Sequence, residues 1–289
     1  MIVRQSGKPK AVFPLLEAVK VPEPKELLDE AYELYDAAHI EEALDLVRPL
    51  LSRQGALNHD HRLSLLRLVG RCSLELGDYE RARQAFDTAA RIAADLDRLD
   101  LAITLFYLCR VDEAEMILET LPPYPEIEAE VYWYRGLLAE RHGDYDRADS
   151  LFRRASRLDP KRFVVPQKIE ENEVRDVYDA VIEEFPPDMR TTALEVPVLI
   201  EELPSDEVLE STGNRLHPLI LGMYSGTPLD RKSTMTPDPD VDRIVLFRRN
   251  IAKISHSRED LRRELRQTLL HEIGHHFCLS DEDLEERGL

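Results

Sequence analysis

Four stretches in the first half of the chain superimpose on one template: AAHIEEALDLV (residues 37–47), LGDYERARQAF (76–86), LCRVDEAEMIL (108–118) and HGDYDRADSLF (142–152). In each, a turn residue is followed two positions later by an apolar side chain, three further on by alanine, and four after that by a bulky apolar residue. The alanines fall at 43, 82, 114 and 148. A repeat of this length constrains the fold strongly, because one unit cannot bury its own apolar face and only the stacking of neighbours closes a core. Small residues let the two helices of a unit approach, and large ones fill the layer between units. The second copy (Gly70, Gly77, Tyr79, Ala82, Phe86, Ala89) and the fourth (Tyr132, Gly136, Gly143, Tyr145, Ala148, Phe152, Ala155, Pro160) are the fullest. The first and third depart from them.

The alanine spacings of 39, 32 and 34 resemble the tetratricopeptide repeat, a unit of about 34 residues. The resemblance implies about four antiparallel helix pairs over residues 23–165. Their first helices would line a concave groove that takes a peptide or a protein partner; the plainer reading is a compact accessory domain. Contacts between repeats are nearest-neighbour, so this half is expected to need nothing from the rest of the chain.

Charge and cysteine content narrow the class. A net charge of −19 repels phosphate backbones and anionic lipid, which argues against nucleic-acid and membrane-surface roles. Three widely spaced cysteines (Cys72, Cys109, Cys278) suit a reducing compartment better than a disulfide framework. Charged and proline residues interrupt the apolar positions of residues 1–22, so that stretch reads as an N-terminal extension and not a signal peptide. No apolar run is long enough for a membrane span. A cytoplasmic protein is expected.

After Pro160 the repeat template stops, and two prolines in LDPKRFVVPQKIEENE place a boundary near residue 165, with a second domain over 166–289. Residues 173–185 read as an amphipathic helix stopped by Pro186 and Pro187. Residues 193–203 read as a strand that Pro197 weakens. A short apolar run, 217–229, ends in a glycine-proline turn. The best strand is DRIVLFRRNI (242–251), whose residues 243–250 are expected to offer an edge for pairing a substrate peptide. The domain is mixed α and β.

The last helix carries the chemistry. Ser257 and Asp260 form a capping box at its start, and Leu261, Leu265, Leu269, Ile273 and Phe277 recur four apart as its buried stripe. His271 lies about 200° from Leu269 and His275 one turn further on, so both imidazoles point away from the core together. Two histidines at i and i+4 can each direct a nitrogen at one zinc ion, and Glu272, beside the first, can reach its water as a general base. For a third ligand, Asp281 gives HExxHxxCxxD, which looks like the HExxHxxGxx(H/D) layout. Cys278, Glu282, Asp283 and Glu285 are alternatives. Cys278 stands where that layout has glycine, so the turn must be reached differently or shift. His276 is about 100° off the ligand face and reads as a supporting or surface residue.

The order of DVYDAVIEEFP, LEVPVLIEELP, LILGMYSGTPL, DRIVLFRRNI and the terminal HEIGHHFCLSD helix resembles the small bacterial zincin-like metallopeptidase family. The resemblance covers residues 172–289. It implies a minimal zincin fold, with His271, His275 and Asp281 on the zinc ligands and Glu272 on the catalytic glutamate. Tyr224, in the glycine-flanked turn, reads first as packing. The expected fold is therefore an α+β multidomain chain, an all-α tetratricopeptide-like solenoid followed by a minimal zincin-like α/β domain. The expected function is zinc-dependent hydrolysis of peptide bonds, with the repeats holding a substrate or partner protein. The alternatives are an interaction scaffold with a structural or degenerate zinc site, and a zinc hydrolase acting on another bond.

Overall fold

Each helix pair of the first half reverses at one residue with left-handed backbone. A computed structural model describes residues 23–92, 95–122, 124–210, 216–226, 242–280 and 282–283; the extension expected over 1–22, the glycine-proline turn after 226 and Asp281 lie outside them. The first half comprises α1 (Pro24–Asp36), α2 (Ile40–Leu51), α3 (His59–Glu75), α4 (Tyr79–Ile92), α5 (Asp95–Tyr107), α6 (Val111–Glu119), α7 (Glu128–Arg141) and α8 (Tyr145–Leu158). They pack as the pairs α1–α2, α3–α4, α5–α6 and α7–α8.

The four turn residues of the template, Ala38, Gly77, Cys109 and Gly143, have φ of 63°, 72°, 56° and 76°. The next amide in each turn, at His39, Asp78, Arg110 and Asp144, donates back across the helix end to Leu34, Ser73, Leu105 and Ala139, closing the same C-terminal capping motif four times. Glycine reaches this conformation freely, whereas alanine and cysteine are strained in it. Ala38→Gly and Cys109→Gly are therefore each expected to raise stability by about 1 kcal/mol, read as a higher midpoint in urea; a lower midpoint for both would mean that strain at these turns is negligible.

The template alanines 43, 82, 114 and 148 are all fully buried. In the fuller copies a Cβ on Gly70 or Gly136 would lie 2.6 Å from the ring of Phe86 or Phe152, so glycine on the first helix makes room for phenylalanine on the second. The other two copies solve the same space differently. Ala31 with Val47 and Ala102 with Leu118 occupy the equivalent positions, and all four are buried. A larger residue on one helix is matched by a smaller one opposite, which keeps the layer filled. The irregular copies are thus compensated.

The second half comprises α9 (Glu171–Glu184), α10 (Pro187–Ala193), β1 (Val198–Glu201), α11 (Asp206–Glu210), β2 (Gly222–Ser225), β3 (Arg243–Phe247), α12 (Arg248–Ile254) and α13 (Arg258–His276). The sheet order is β1-β3-β2, with β1 parallel and β2 antiparallel to β3. This corrects the expectation of an edge at 243–250: β3 is central, paired on both sides, and ends at Phe247 where α12 begins. Its near-continuous apolar run, buried from Ile244 to Phe247, is what a strand covered on both faces needs. Ile244 and Leu246 join a core with Leu261, Leu265, Leu269 and Ile273 of α13 and with Val174, Val181 and Ile182 of α9.

The halves are also joined by buried charge. Glu140, at the end of α7, is 2% exposed and accepts from both Arg249 and Lys253 of α12. Arg249 bonds Asp149 of α8 as well, and Arg141 donates to the Pro204 carbonyl at 2.6 Å. Burial pushes the Lys253 ammonium below its ordinary pKa, and Glu140 pulls it back. The repeat array is therefore not closed on itself. The positions equivalent to Glu140 in the other copies hold Tyr35, Leu74 and Phe106, so one glutamate in an otherwise apolar column was a readable mark of this junction.

Candidate active site

The site is assembled where β2 lies across α13. Ser257 caps α13, its hydroxyl accepting from the Asp260 amide at 3.0 Å, and the stripe from Leu261 to Ile273 is fully or almost fully buried. That face fixes the helix's rotation. His271 and His275 accordingly lie together on a partly exposed face, their ring centroids 4.7 Å apart. Glu272 is 6% exposed and turned toward β2: a Cβ added to Gly222 would lie 3.3 Å from Glu272 Cγ and 2.8 Å from Thr268 Cγ2. Only glycine lets the strand lie this close to the helix.

His275 Nδ1 is 3.1 Å from the Leu279 carbonyl. A carbonyl can only accept, so Nδ1 is the donor in this contact, the arrangement that usually orients a metal-bound imidazole. The Leu279 carbonyl reaches this position because α13 ends in a left-handed turn. Cys278 has φ 69°, its amide donates to His275 and that of Leu279 to Gly274. Cysteine thus takes the glycine conformation itself, and the turn neither shifts nor is reached by another route.

His276 is 2% exposed, a supporting residue and not a surface one. Tyr224 donates its hydroxyl proton to Asp242 at 2.8 Å, so the 3.2 Å contact between that hydroxyl and His276 Nδ1 is donated by the imidazole. The chain His276–Tyr224–Asp242 pins β2 and the start of β3 to the end of α13. A Cβ on Gly226 would fall 2.3 Å from Asp242 Oδ1, so this glycine keeps room for that hydrogen bond. The LGMYSG stretch is thereby accounted for: Gly222 seats the strand on the helix, Tyr224 ties it there and Gly226 clears the tie. Asp242 escaped the sequence reading, since its partner is 18 residues away.

Among the described residues no group of three or more His, Cys, Asp and Glu side chains is gathered as a metal would require. Cys278, Glu282 and Asp283 therefore do not complete a set with the two histidines, and Asp283 accepts from the amide and hydroxyl of Ser280. Asp281 and Glu285 lie outside the described residues. What is present fits zinc: two imidazoles one turn apart, one oriented by a backbone carbonyl, beside a buried carboxylate.

Residues 193–289 match the family described as zincin-like metallopeptidase, and residues 68–96 and 129–162 match tetratricopeptide repeats. The C-terminal region is a zincin-like metallopeptidase domain. Tetratricopeptide repeats precede it. Among curated proteins none matches the chain. A solved structure titled "MamA RS-1 ArsTM double mutant" is 17% identical and covers 58% of this chain and 89% of that one, with a TM-score of 0.40, a likeness too distant to bear on function. Among the described residues no helix is long and apolar enough to cross a membrane.

Proposed function

We propose that the zincin-like domain is a zinc-dependent peptidase and that the repeats hold its substrate or a partner protein. The observation that carries the reading is the Leu279 carbonyl on His275 Nδ1, which has a purpose when Nε2 faces a metal. In this reading His271 and His275 hold zinc, with Asp281 as third ligand. Zinc, when bound, lowers the pKa of water toward about 7 and polarises a carbonyl. The protein's own part is positional and protolytic. Glu272 takes a proton from the attacking water at its buried carboxylate and passes it to the leaving amine. β2 is an edge of the three-stranded sheet and lies on α13, so it replaces 243–250 as the strand to which an extended peptide adds. The His276–Tyr224–Asp242 chain keeps that strand at a constant height above Glu272. Three widely spaced cysteines suit a reducing compartment, and we place the protein in the cytoplasm.

Metal analysis tests this first. Purified protein is expected to carry about one zinc per chain, and His271→Ala or His275→Ala to lose it while helical circular dichroism persists. Stoichiometric zinc in the doubly substituted protein removes the assignment.

A further inference from the structure

The first helices of the repeats, α1, α3, α5 and α7, line a cavity of about 800 Å3. Its wall is aromatic, with Tyr35, Tyr79, Tyr107 and Tyr134 facing in. Its charge is mainly carboxylate, from Glu75, Asp100 and Glu130. The two guanidinium groups present do not balance these. Arg162 is engaged with Glu130 at 3.0 Å, Arg71 stands at 4.0 Å from Asp100, and among the described residues Glu75 has no ion-pair partner. Burial pushes the Asp100 carboxyl up to about 6, with Arg71 pulling it back only in part. One end of the cavity is closed by the other half of the chain: the His217 ring lies 4.8 Å from Tyr107 and 6.2 Å from Tyr79. Burial lowers the pKa of that imidazole, so it adds no cation.

Tyrosine faces and under-compensated carboxylates are together the chemistry that holds a guanidinium or ammonium group, through cation–π attraction and charge-assisted hydrogen bonds. An anionic ligand would have to sit among three carboxylates after approaching a chain of net charge −19, whereas a cationic one is drawn in. We propose that this cavity binds an arginine or lysine side chain of a peptide segment, with Asp100 and Glu75 as its charge partners and the tyrosines as its walls. A segment held there lies beside His217, which leads through Leu221 into β2. Where the bound segment is a substrate, the proposal rests on the peptidase reading, and basic side chains then mark what the domain is offered.

The test separates the two readings by using full-length Glu272→Gln protein, in which hydrolysis is expected to be slower by a factor of about 10² to 10⁴. Four pools of random heptapeptides, acetylated and amidated at the ends, carry Arg, Lys, Ala or Glu at the central position. Each is passed over immobilised protein at near-physiological salt, and retained peptide is measured by mass spectrometry. The Arg and Lys pools are expected to be retained about tenfold over the Ala and Glu pools. Asp100→Asn is expected to erase that preference without lowering the thermal midpoint, since it removes a buried charge of poor compensation. Glu119→Gln, an exposed carboxylate outside the cavity, changes net charge equally and is expected to keep the preference. Equal retention of all pools, retention of none, preference for the Glu pool, or a preference that survives Asp100→Asn would each overturn the proposal. A protein that cleaves peptides yet shows no such preference loses the cavity assignment and keeps the peptidase one.

Discussion

Glu140→Ala in the full chain is expected to lower stability by about 3–5 kcal/mol, the usual cost of leaving one member of a buried ion pair alone. Lys253 is the reason. Its side chain is 4% exposed and Glu140's is 1%, so neither group has water to fall back on. Arg249 retains Asp149 when Glu140 is removed, but Lys253 has no second carboxylate at ion-pair distance among the described residues. Urea unfolding followed by circular dichroism reads the effect. The double substitution Glu140→Leu with Lys253→Met is expected to recover most of the loss, because replacing a buried pair by apolar residues of similar volume is often neutral or stabilising. If Glu140→Ala costs less than about 1 kcal/mol, the range of an exposed surface pair, the junction is wetter than its burial implies. The double variant then keeps the outcome interpretable, since overpacking would appear in it and not in the alanine.

Glu272→Gln is expected to retain zinc and to lose peptide hydrolysis by a factor of about 10² to 10⁴, the range for removing a general base. The carboxamide keeps the size of the side chain, and with it the fit beneath Gly222, but it cannot take a proton. Zinc content and cleavage of fluorogenic peptides are measured on the same preparations. Loss of metal together with activity would make Glu272 a structural support of the site. Tight zinc with no cleavage by the unsubstituted protein would move the conclusion to the scaffold reading.

What could be read in the residue order is what neighbouring residues decide among themselves. The turns at 38, 77, 109 and 143, the Ser257–Asp260 cap and the leucine stripe of α13 each depend on side chains within about a turn or two of one another. Their periods therefore survive in the linear text, and so does the pairing of His271 with His275. The strands at 193–203 and 242–251 were legible, but β2, read only as part of an apolar run over 217–229, and the order of the sheet were not. The apolar run at 244–247 suits an edge or a centre until its neighbours are known, and only the pairing of β3 with both β1 and β2 made it central.

The same limit governs the site and the junction. The sequence by itself determined a repeat array followed by a mixed domain with a HExxH helix, because those features are local and periodic. Only the tertiary structure decided that Tyr224 ties His276 to Asp242, that Glu140 meets Lys253 and Arg249, and that His217 closes the repeat cavity. Glu140 and Lys253 are 113 residues apart, and although the repeat column marks Glu140 as out of place, no period or spacing names its partner. It follows from burial of apolar area over the whole molecule, which brings these charges together and leaves Lys253 no carboxylate but Glu140 at ion-pair distance among the described residues.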